Sequence, residues 1–296
     1  MHNLKNQVHF ALSIVLPAKN EAQNIALLIE KIQLLALDAE ILVINDGSTD
    51  NTAQLAMDLG ARVITHPYSL GNGAAVKTGA RNAIGDIIIF MDADGQHNPE
   101  DIPALLAKLH EGYDMVVGAR HPSTHSSIIR RFGNAVYNRM ASFMTQHRIE
   151  DLTSGYRAVR ADKFRKFLYL LPNGFSYPTT STMAFFRSGF HVGYLPIHAG
   201  TRKGRSHINV LKDGYRFFIV ILRVGALFSP MRFFMPISLM MFLTGISYYA
   251  YTYITEARFT NMSLLFLLSA LFVFLMGIIS EQISSLHYKY IEENKH

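Results

Sequence analysis

Asp86-Ile87-Ile88-Ile89-Phe90-Met91-Asp92-Ala93-Asp94-Gly95-Gln96-His97 is a run of large apolar residues that stops abruptly in two carboxylates. The apolar half reads as a strand buried on both faces. Gly95 and Asn98-Pro99 break the strand, so Asp92 and Asp94 can turn to one side of a loop instead of alternating across a sheet. Two close carboxylates repel each other, and a hard divalent cation such as Mg²⁺ or Mn²⁺ relieves that repulsion, with Gln96 able to add a neutral oxygen. An acidic turn capping the helix after Pro99 is the other reading of the same residues.

Working outward, the chain alternates strand and helix. Strands are predicted at Ser13–Pro17, Glu40–Asn45, Arg62–Thr65, Asp86–Met91 and Met115–Gly118. Helical patterns lie between them, over about Glu21–Leu35, the stretch up to Leu59, Gly71–Ile84 and Glu100–Glu111. Such alternation implies a mostly parallel sheet covered on both faces, with ligands gathered beyond the carboxyl ends of the strands. The unusual polar clusters fall at those ends. Pro17-Ala18-Lys19-Asn20-Glu21 follows the first strand, and Asn45-Asp46-Gly47-Ser48-Thr49-Asp50 follows the second. Ser48 or Thr49 can cap the next helix, while Asp46 can accept from a nucleobase or ribose. Ser69-Leu70-Gly71-Asn72-Gly73-Ala74-Ala75 is a small-residue loop whose backbone N–H groups can approach an anion; it is neither a Walker A loop nor a dinucleotide fingerprint. Beyond Arg120 come a basic helical stretch from Ile128 to His147, a strand-and-turn segment at Asp151–Arg160, and turn-rich sequence.

Composition places the far end of the chain elsewhere. Of 296 residues 49% are hydrophobic and only 17% charged, with a mean hydropathy of +0.15. The apolar excess sits in Phe233–Thr255 and Phe259–Ser280, neither of which carries a charged side chain. Each exceeds the roughly 20 residues needed to cross a bilayer. Before them, Lys212, Arg216 and Arg223 share one helical face beside Phe217, Phe218, Ile221, Leu222 and Val224, the pattern of a helix lying in a membrane interface. The expected organisation is a core domain over 1–206, an interfacial helix over 207–230, a two-helix hairpin over 231–284 and a tail over 285–296. Lys212, Arg216, Arg223 and Arg232 before the hairpin, and Lys289 and Lys295 after it, outnumber Arg258 in the connection, which puts both chain ends in the cytoplasm. The absence of Cys excludes disulfides, thiolate zinc sites and a thiol nucleophile. Lys and Arg exceed Asp and Glu by 28 to 22. No nucleic-acid signature interleaves the basic residues, so an anion at the bilayer surface is the expected target.

Taken together, Ile14–Glu21, the Asp-Gly-Ser turn at Asp46, Gly71-Asn72-Gly73 and Asp92-Ala93-Asp94 resemble family 2 glycosyltransferases of the GT-A fold. Asp151-Leu152-Thr153-Ser154-Gly155-Tyr156-Arg157 narrows the resemblance to the polyprenyl-phosphate glycosyltransferases, relatives of dolichyl-phosphate mannose synthase. The resemblance spans about residues 10–210, and the two-helix anchor is similar to that of bacterial members. It implies a Rossmann-like GT-A domain in which Pro17, Ala18, Glu21, Asp46 and Asp92 hold the nucleotide of a nucleotide-sugar. Asp92, Asp94 and Gln96 would bind Mg²⁺ or Mn²⁺ on its diphosphate. Asp94, Arg120, Arg131 and Arg202 would be catalytic, the arginines on the acceptor-phosphate side with Ser206. Asp151, Ser154 and Arg157 would line the sugar and phosphate pocket. Two positions depart from the family's pattern: Asn45 stands where a second acidic residue is usual, and Thr201-Arg202 with His207 replaces the usual Arg-x-x-Gly-x-Ser/Thr-Lys spacing.

The implied reaction moves a hexose, from a UDP-sugar in preference to GDP-mannose, onto undecaprenyl or dolichyl phosphate. A phosphate monoester is largely dianionic at neutral pH and needs no general base, so single displacement with inversion is expected. The expected partners are this donor, the lipid acceptor and membrane lipids, with association between hairpins a route to a homo-oligomer. Three other readings compete. A processive polysaccharide synthase would carry Gln-x-x-Arg-Trp, and this chain has no Trp. A non-catalytic lipid-linked-sugar binding protein would not need the Asp92, Asp94, Gln96 set. A sugar-phosphate nucleotidyltransferase would need no membrane anchor.

Overall fold

The computed structural model describes residues 12–120, 128–174, 176–198 and 226–293; for 128–132, 134 and 287–293 it describes the backbone. The described residues fall into two compact units. The first takes those up to Arg139 and from Arg148 to residue 198; the second takes Met140–His147 and the residues from 226 onward.

The first unit is built on β1 (Leu12–Ala18), α1 (Ile25–Leu34), β2 (Ala39–Asn45), α2 (Thr52–Asp58), β3 (Arg62–Thr65), α3 (Asn72–Asn82), β4 (Ile87–Phe90), α4 (Ile102–His110) and β5 (Met115–Arg120). There follow α5 (Ile128–Thr145), β6 (Arg157–Arg160), α6 (Ala161–Arg165), α7 (Tyr177–Arg187) and β7 (Val192–Ile197). Seven strands form one sheet in the order β3-β2-β1-β4-β6-β5-β7. Every residue of β1 and β4 is buried, which is what their unbroken apolar sequences demand. Ile14 and Leu16 join the apolar stripes of α1 (Ile25, Leu28, Ile29, Ile32) and α4 (Ile102, Leu105, Leu109) in one cluster. Val15 faces the other way, against α3, where a Cβ on Gly79 would strike its Cγ1.

The chain runs from β1 outward to β3, then crosses back to place β4 on the other side of β1. This reversal creates the crevice at which such sheets bind ligands. The sheet is mostly parallel, as expected, but β6 is inserted antiparallel between β4 and β5. An antiparallel strand begins where its parallel neighbour ends. Residues just before β6 therefore lie beside residues just after β4, and Asp151–Tyr156 is carried to the edge where Asp92–His97 emerges.

The second unit contains α8 (Pro230–Glu256) and α9 (Asn261–Glu293), with a helical turn at 226–228 before them. At 1.5 Å per residue, the 27 residues of α8 reach about 40 Å, longer than a hydrocarbon core of about 30 Å. Both helices are long and apolar enough to span a membrane and expose most of their apolar side chains. The first begins at Pro230, earlier than the expected Phe233, so Pro236 lies inside the helix instead of in its first turn. Arg232 is tolerated there because its guanidinium donates to Met144 O in the last turn of α5, as does Ser229 Oγ at 2.9 Å. The two helices meet along buried small residues at heptad spacing: Ser238, Gly245 and Thr252 on α8, and Ser263, Ala270, Gly277 and Ser284 on α9. Ser238 Oγ donates to Ala270 O at 2.8 Å across that seam, as expected where small residues let transmembrane backbones approach closely. The expected interfacial helix, over 207–230, lies outside the described residues up to 225.

Candidate active site

Three loops at the carboxyl edge of the sheet are knitted together by polar contacts. Asn20, at the left-handed φ of +55°, donates its N–H to Ser48 Oγ at 2.9 Å and accepts from Thr49 N at 2.8 Å. Glu21 N donates to Thr52 Oγ1 at 2.9 Å, and Asp46 N to Ala18 O at 2.9 Å. Lys19 Nζ reaches Ser69 Oγ at 3.0 Å. Pro17, Ala18 and Glu21 thus sit on a braced ledge between the ends of β1 and β2. Gly47, at φ +65°, makes the turn, and a Cβ there would lie 2.7 Å from Ser69 N.

Asp46 is fully bonded within the protein. Its carboxylate accepts from His66 Nδ1, Ser69 Oγ and Leu70 N, each at 2.8 Å, and from Gly71 N at 2.9 Å. Four donors fill the acceptor capacity of a carboxylate. Burial would raise its pKa, but these bonds outweigh burial and hold it down at about 2. The anion approached by the Ser69–Gly71 backbone is the protein's own Asp46, which stands beside the ledge formed by Pro17, Ala18 and Glu21. His66 continues the chain of contacts, its Nε2 standing 2.9 Å from Thr78 Oγ1 on α3. The N-terminus of α3 is likewise occupied from inside, since Ala74 N donates to Asn173 O at 3.1 Å.

The end of β4 is built the other way. The Asp92 side chain is 33% exposed and accepts one long bond, from Asn72 Nδ2 at 3.3 Å. His97 Nε2 stands 3.8 Å from its Oδ2. Burial pushes the Asp92 carboxyl up, and His97, Asn72 and the Arg120 charge pull it net below its ordinary value. Asp94 Oδ1 accepts from Gln96 N at 3.1 Å, a turn that brings Asp94 and Gln96 together after Asp92. Gly155 closes the far wall: a Cβ there would lie 2.9 Å from Asp92 Oδ2 and 3.0 Å from the Tyr177 hydroxyl. Two half-exposed carboxylates and an amide make an all-oxygen donor set, which fits Mg²⁺ or Mn²⁺. Among the described residues no group of three or more His, Cys, Asp or Glu gathers as a metal cage.

Beside this turn, Arg120 ends β5. Its Nε and Nη2 bind the two oxygens of Asp151 at 2.8 and 3.1 Å, and Nη2 also reaches Thr153 Oγ1 at 2.6 Å. Burial works against the Arg120 charge, but Asp151 more than offsets it and raises the pKa. Burial likewise pushes the Asp151 carboxyl up, and Arg120 brings it below its ordinary value. Asp151 therefore orients Arg120. Ser154 Oγ is buried with no partner among the described residues. Arg157 is fully buried: its guanidinium reaches Ser154 O, Ser181 Oγ at 2.6 Å and Pro178 O at 3.2 Å. It stands inside the protein as a post between the Asp151–Tyr156 loop and α7. Arg131 lies on α5, described there by its backbone; Arg202 and Ser206 lie outside the described residues. Sequence reasoning gave no role to His66, Asn72 or Tyr156. Asn72 was the most accessible of these, since it sits inside the quoted Gly-Asn-Gly loop.

The comparisons with known proteins place the family and the fold. Residues 13–168 match the Glycosyl transferase family 2 domain, and residues 229–286 match the GtrB C-terminal hairpin. Glycosyltransferase AglJ of Haloferax volcanii is 29% identical over 290 residues, covering 94% of this chain and 95% of that protein. Glucosyl-3-phosphoglycerate synthase from Mycobacterium tuberculosis, in complex with Mn²⁺, UDP and glucosyl-3-phosphoglycerate, superposes with a TM-score of 0.57 at 23% identity over 73% of this chain and 78% of that one. The same synthase with Mn²⁺, UDP-glucose and phosphoglyceric acid gives 0.59 at 23% identity, over 73% and 80%. These structures establish the GT-A fold. With its family domain spanning more than half of its length, the chain belongs to glycosyl transferase family 2 and is a glycosyltransferase that carries a GtrB-type hairpin.

Proposed function

We propose that the protein transfers a hexose from a nucleotide-diphosphate sugar to a polyprenyl phosphate, with inversion at the anomeric carbon. One observation carries this reading: the same chain holds an open carboxylate pair, Asp92 and Asp94, at the sheet edge and a GtrB-type hairpin of membrane-spanning length. A water-soluble acceptor needs no such hairpin, whereas a lipid phosphate has to be met at a bilayer. UDP-hexose is the preferred donor, supported by the UDP and UDP-glucose complexes of the mycobacterial synthase.

Pro17, Ala18 and Glu21 form the ledge for the nucleoside, and Asp46 keeps the Ser69–Gly71 wall in place behind it. Asp92, Asp94 and Gln96 would hold Mg²⁺ or Mn²⁺, which when bound offsets the charge building on the leaving diphosphate. Arg120, aimed by Asp151, meets the incoming phosphate together with Arg131, Arg202 and Ser206. Its one planar fork is shared between carboxylate and phosphate, which fixes the direction of approach. Ser154 offers its hydroxyl to the sugar. The acceptor dianion supplies its own nucleophilic oxygen, so these side chains position and neutralise, and none removes a proton. The basic residues flanking the hairpin put this edge on the cytoplasmic side.

The test is to offer membranes containing the protein a panel of labelled nucleotide-sugars with undecaprenyl phosphate and Mg²⁺ or Mn²⁺. Organic-extractable label from one donor, strongest for a UDP-hexose, is the expected result. Donor binding with no extractable product from any sugar points to the non-catalytic lipid-linked-sugar reading.

A further inference from the structure

His97 is held in an unusual position for a histidine. Its side chain is 6% exposed, and its ring lies on Tyr156 with centroids 4.9 Å apart and 36° between planes. Tyr156 is itself fixed, its hydroxyl donating to Asn98 O at 3.0 Å. The stack removes the ring's freedom to turn away. Nδ1 is buried with no partner among the described residues, and Nε2 stops 3.8 Å from Asp92 Oδ2, beyond hydrogen-bond length. The ring is thus held with Nε2 aimed at the carboxylate and a small movement short of a hydrogen bond to it. Asp92 Oδ2 is the oxygen that faces this ring. Gly155 and the Tyr177 hydroxyl wall its far side, and Tyr177 donates to Gly155 O at 3.3 Å.

We propose that His97 is a positioning residue for Asp92: its Nε2–H would take Oδ2 when a divalent cation is bound at the Asp92–Asp94 turn, so that the stacked imidazole fixes the orientation of the carboxylate. This rests on the cation reading above. Outer-shell donors of this kind typically change metal affinity by about 10- to 100-fold when removed. The ring is supplied from the Asp151–Arg157 side through Tyr156, so the family's two polar motifs are coupled by one aromatic contact.

The experiment uses the full chain in detergent, with Mn²⁺ uptake followed by electron paramagnetic resonance, alone and with UDP. His97→Phe keeps a stacked ring and removes the donor; His97→Gln returns an N–H near the Nε2 position. The expected result is Mn²⁺ affinity about 10- to 100-fold weaker in His97→Phe, largely recovered in His97→Gln. Equal affinity in the unsubstituted protein and His97→Phe overturns the inference and leaves the cation reading standing. Failure of the unsubstituted protein to take up Mn²⁺ under either condition overturns both. If thermal melting shows His97→Phe unfolded, His97→Leu against His97→Gln reads the same difference.

Discussion

Asp46 and Asp92 stand one and two residues beyond β2 and β4, the two strands that flank β1, and they could hardly be treated more differently. Asp46 is 5% exposed and accepts four hydrogen bonds from its own protein. Asp92 is 33% exposed and accepts one long one. The residue type and its place at the strand end are the same, so neither explains the outcome. The following loop does. After β3 the chain folds Ser69, Leu70 and Gly71 back over Asp46 with their donors inward, while Gly155 faces Asp92 with no side chain. A carboxylate at a strand end is thus either a structural anion or a ligand, according to whether the protein supplies its donors.

The contrast predicts opposite consequences for removing each kind of carboxylate. Asp94→Ala, in the open turn, should slow transfer about a thousandfold, about 4 kcal/mol in the barrier, because the leaving charge loses its counter-ion. Stability should fall by no more than about 1 kcal/mol, the loss of one hydrogen bond at a half-exposed turn. Extractable label and chemical denaturation read the two effects, and undiminished transfer in metal-free buffer would sink the assignment. Asp46→Asn should show the reverse order, with a stability loss of about 2 kcal/mol at neutral pH and a raised KM for donor as the Ser69–Gly71 wall loosens. The pH dependence has a definite sign. The folded carboxyl is held at about 2, below the ordinary 3.8, so its stabilisation is complete above about pH 5 and drains away as pH falls through 2. Acid denaturation of Asp46→Asn should lack that step. The smallest effect belongs to Gly155→Ala, whose Cβ would press on Asp92 Oδ2. About a tenfold loss in kcat/KM for donor is expected, about 1.4 kcal/mol, partly restored by added Mn²⁺; an unchanged Mn²⁺ requirement would show that Asp92 has room to move.

Much of this was legible in the sequence, for physical reasons. Strands buried on both faces must be apolar throughout, so Ile87–Phe90 and the Ile14–Leu16 run announce themselves. Spans that face lipid must exclude charge, so the hairpin does too. Strand β6 was harder, because Arg157 and Arg160 give Arg157–Arg160 a polar reading although Arg157 is buried, and nothing local signals a reversed direction. The role of Asp46 was hidden for a similar reason: its partners come from 20 to 25 residues away, and no spacing rule shows which way a loop's N–H groups will point. The hairpin seam escaped because a search for apolar length weighs Leu and Phe, whereas Ser238, Gly245, Ala270 and Ser284 do their work by being small.

That hairpin also changes the units in which the proposed enzyme's substrate should be counted. Two joined spans hold far more tightly than a single acyl chain, so in a bilayer the protein stays where it is inserted and searches a plane. A lipid acceptor confined to the same plane is met at a frequency set by molecules per unit area, not per unit volume. Diluting the bilayer with inert lipid, at constant total acceptor, then slows transfer, while diluting the vesicles in buffer leaves the encounter rate unchanged.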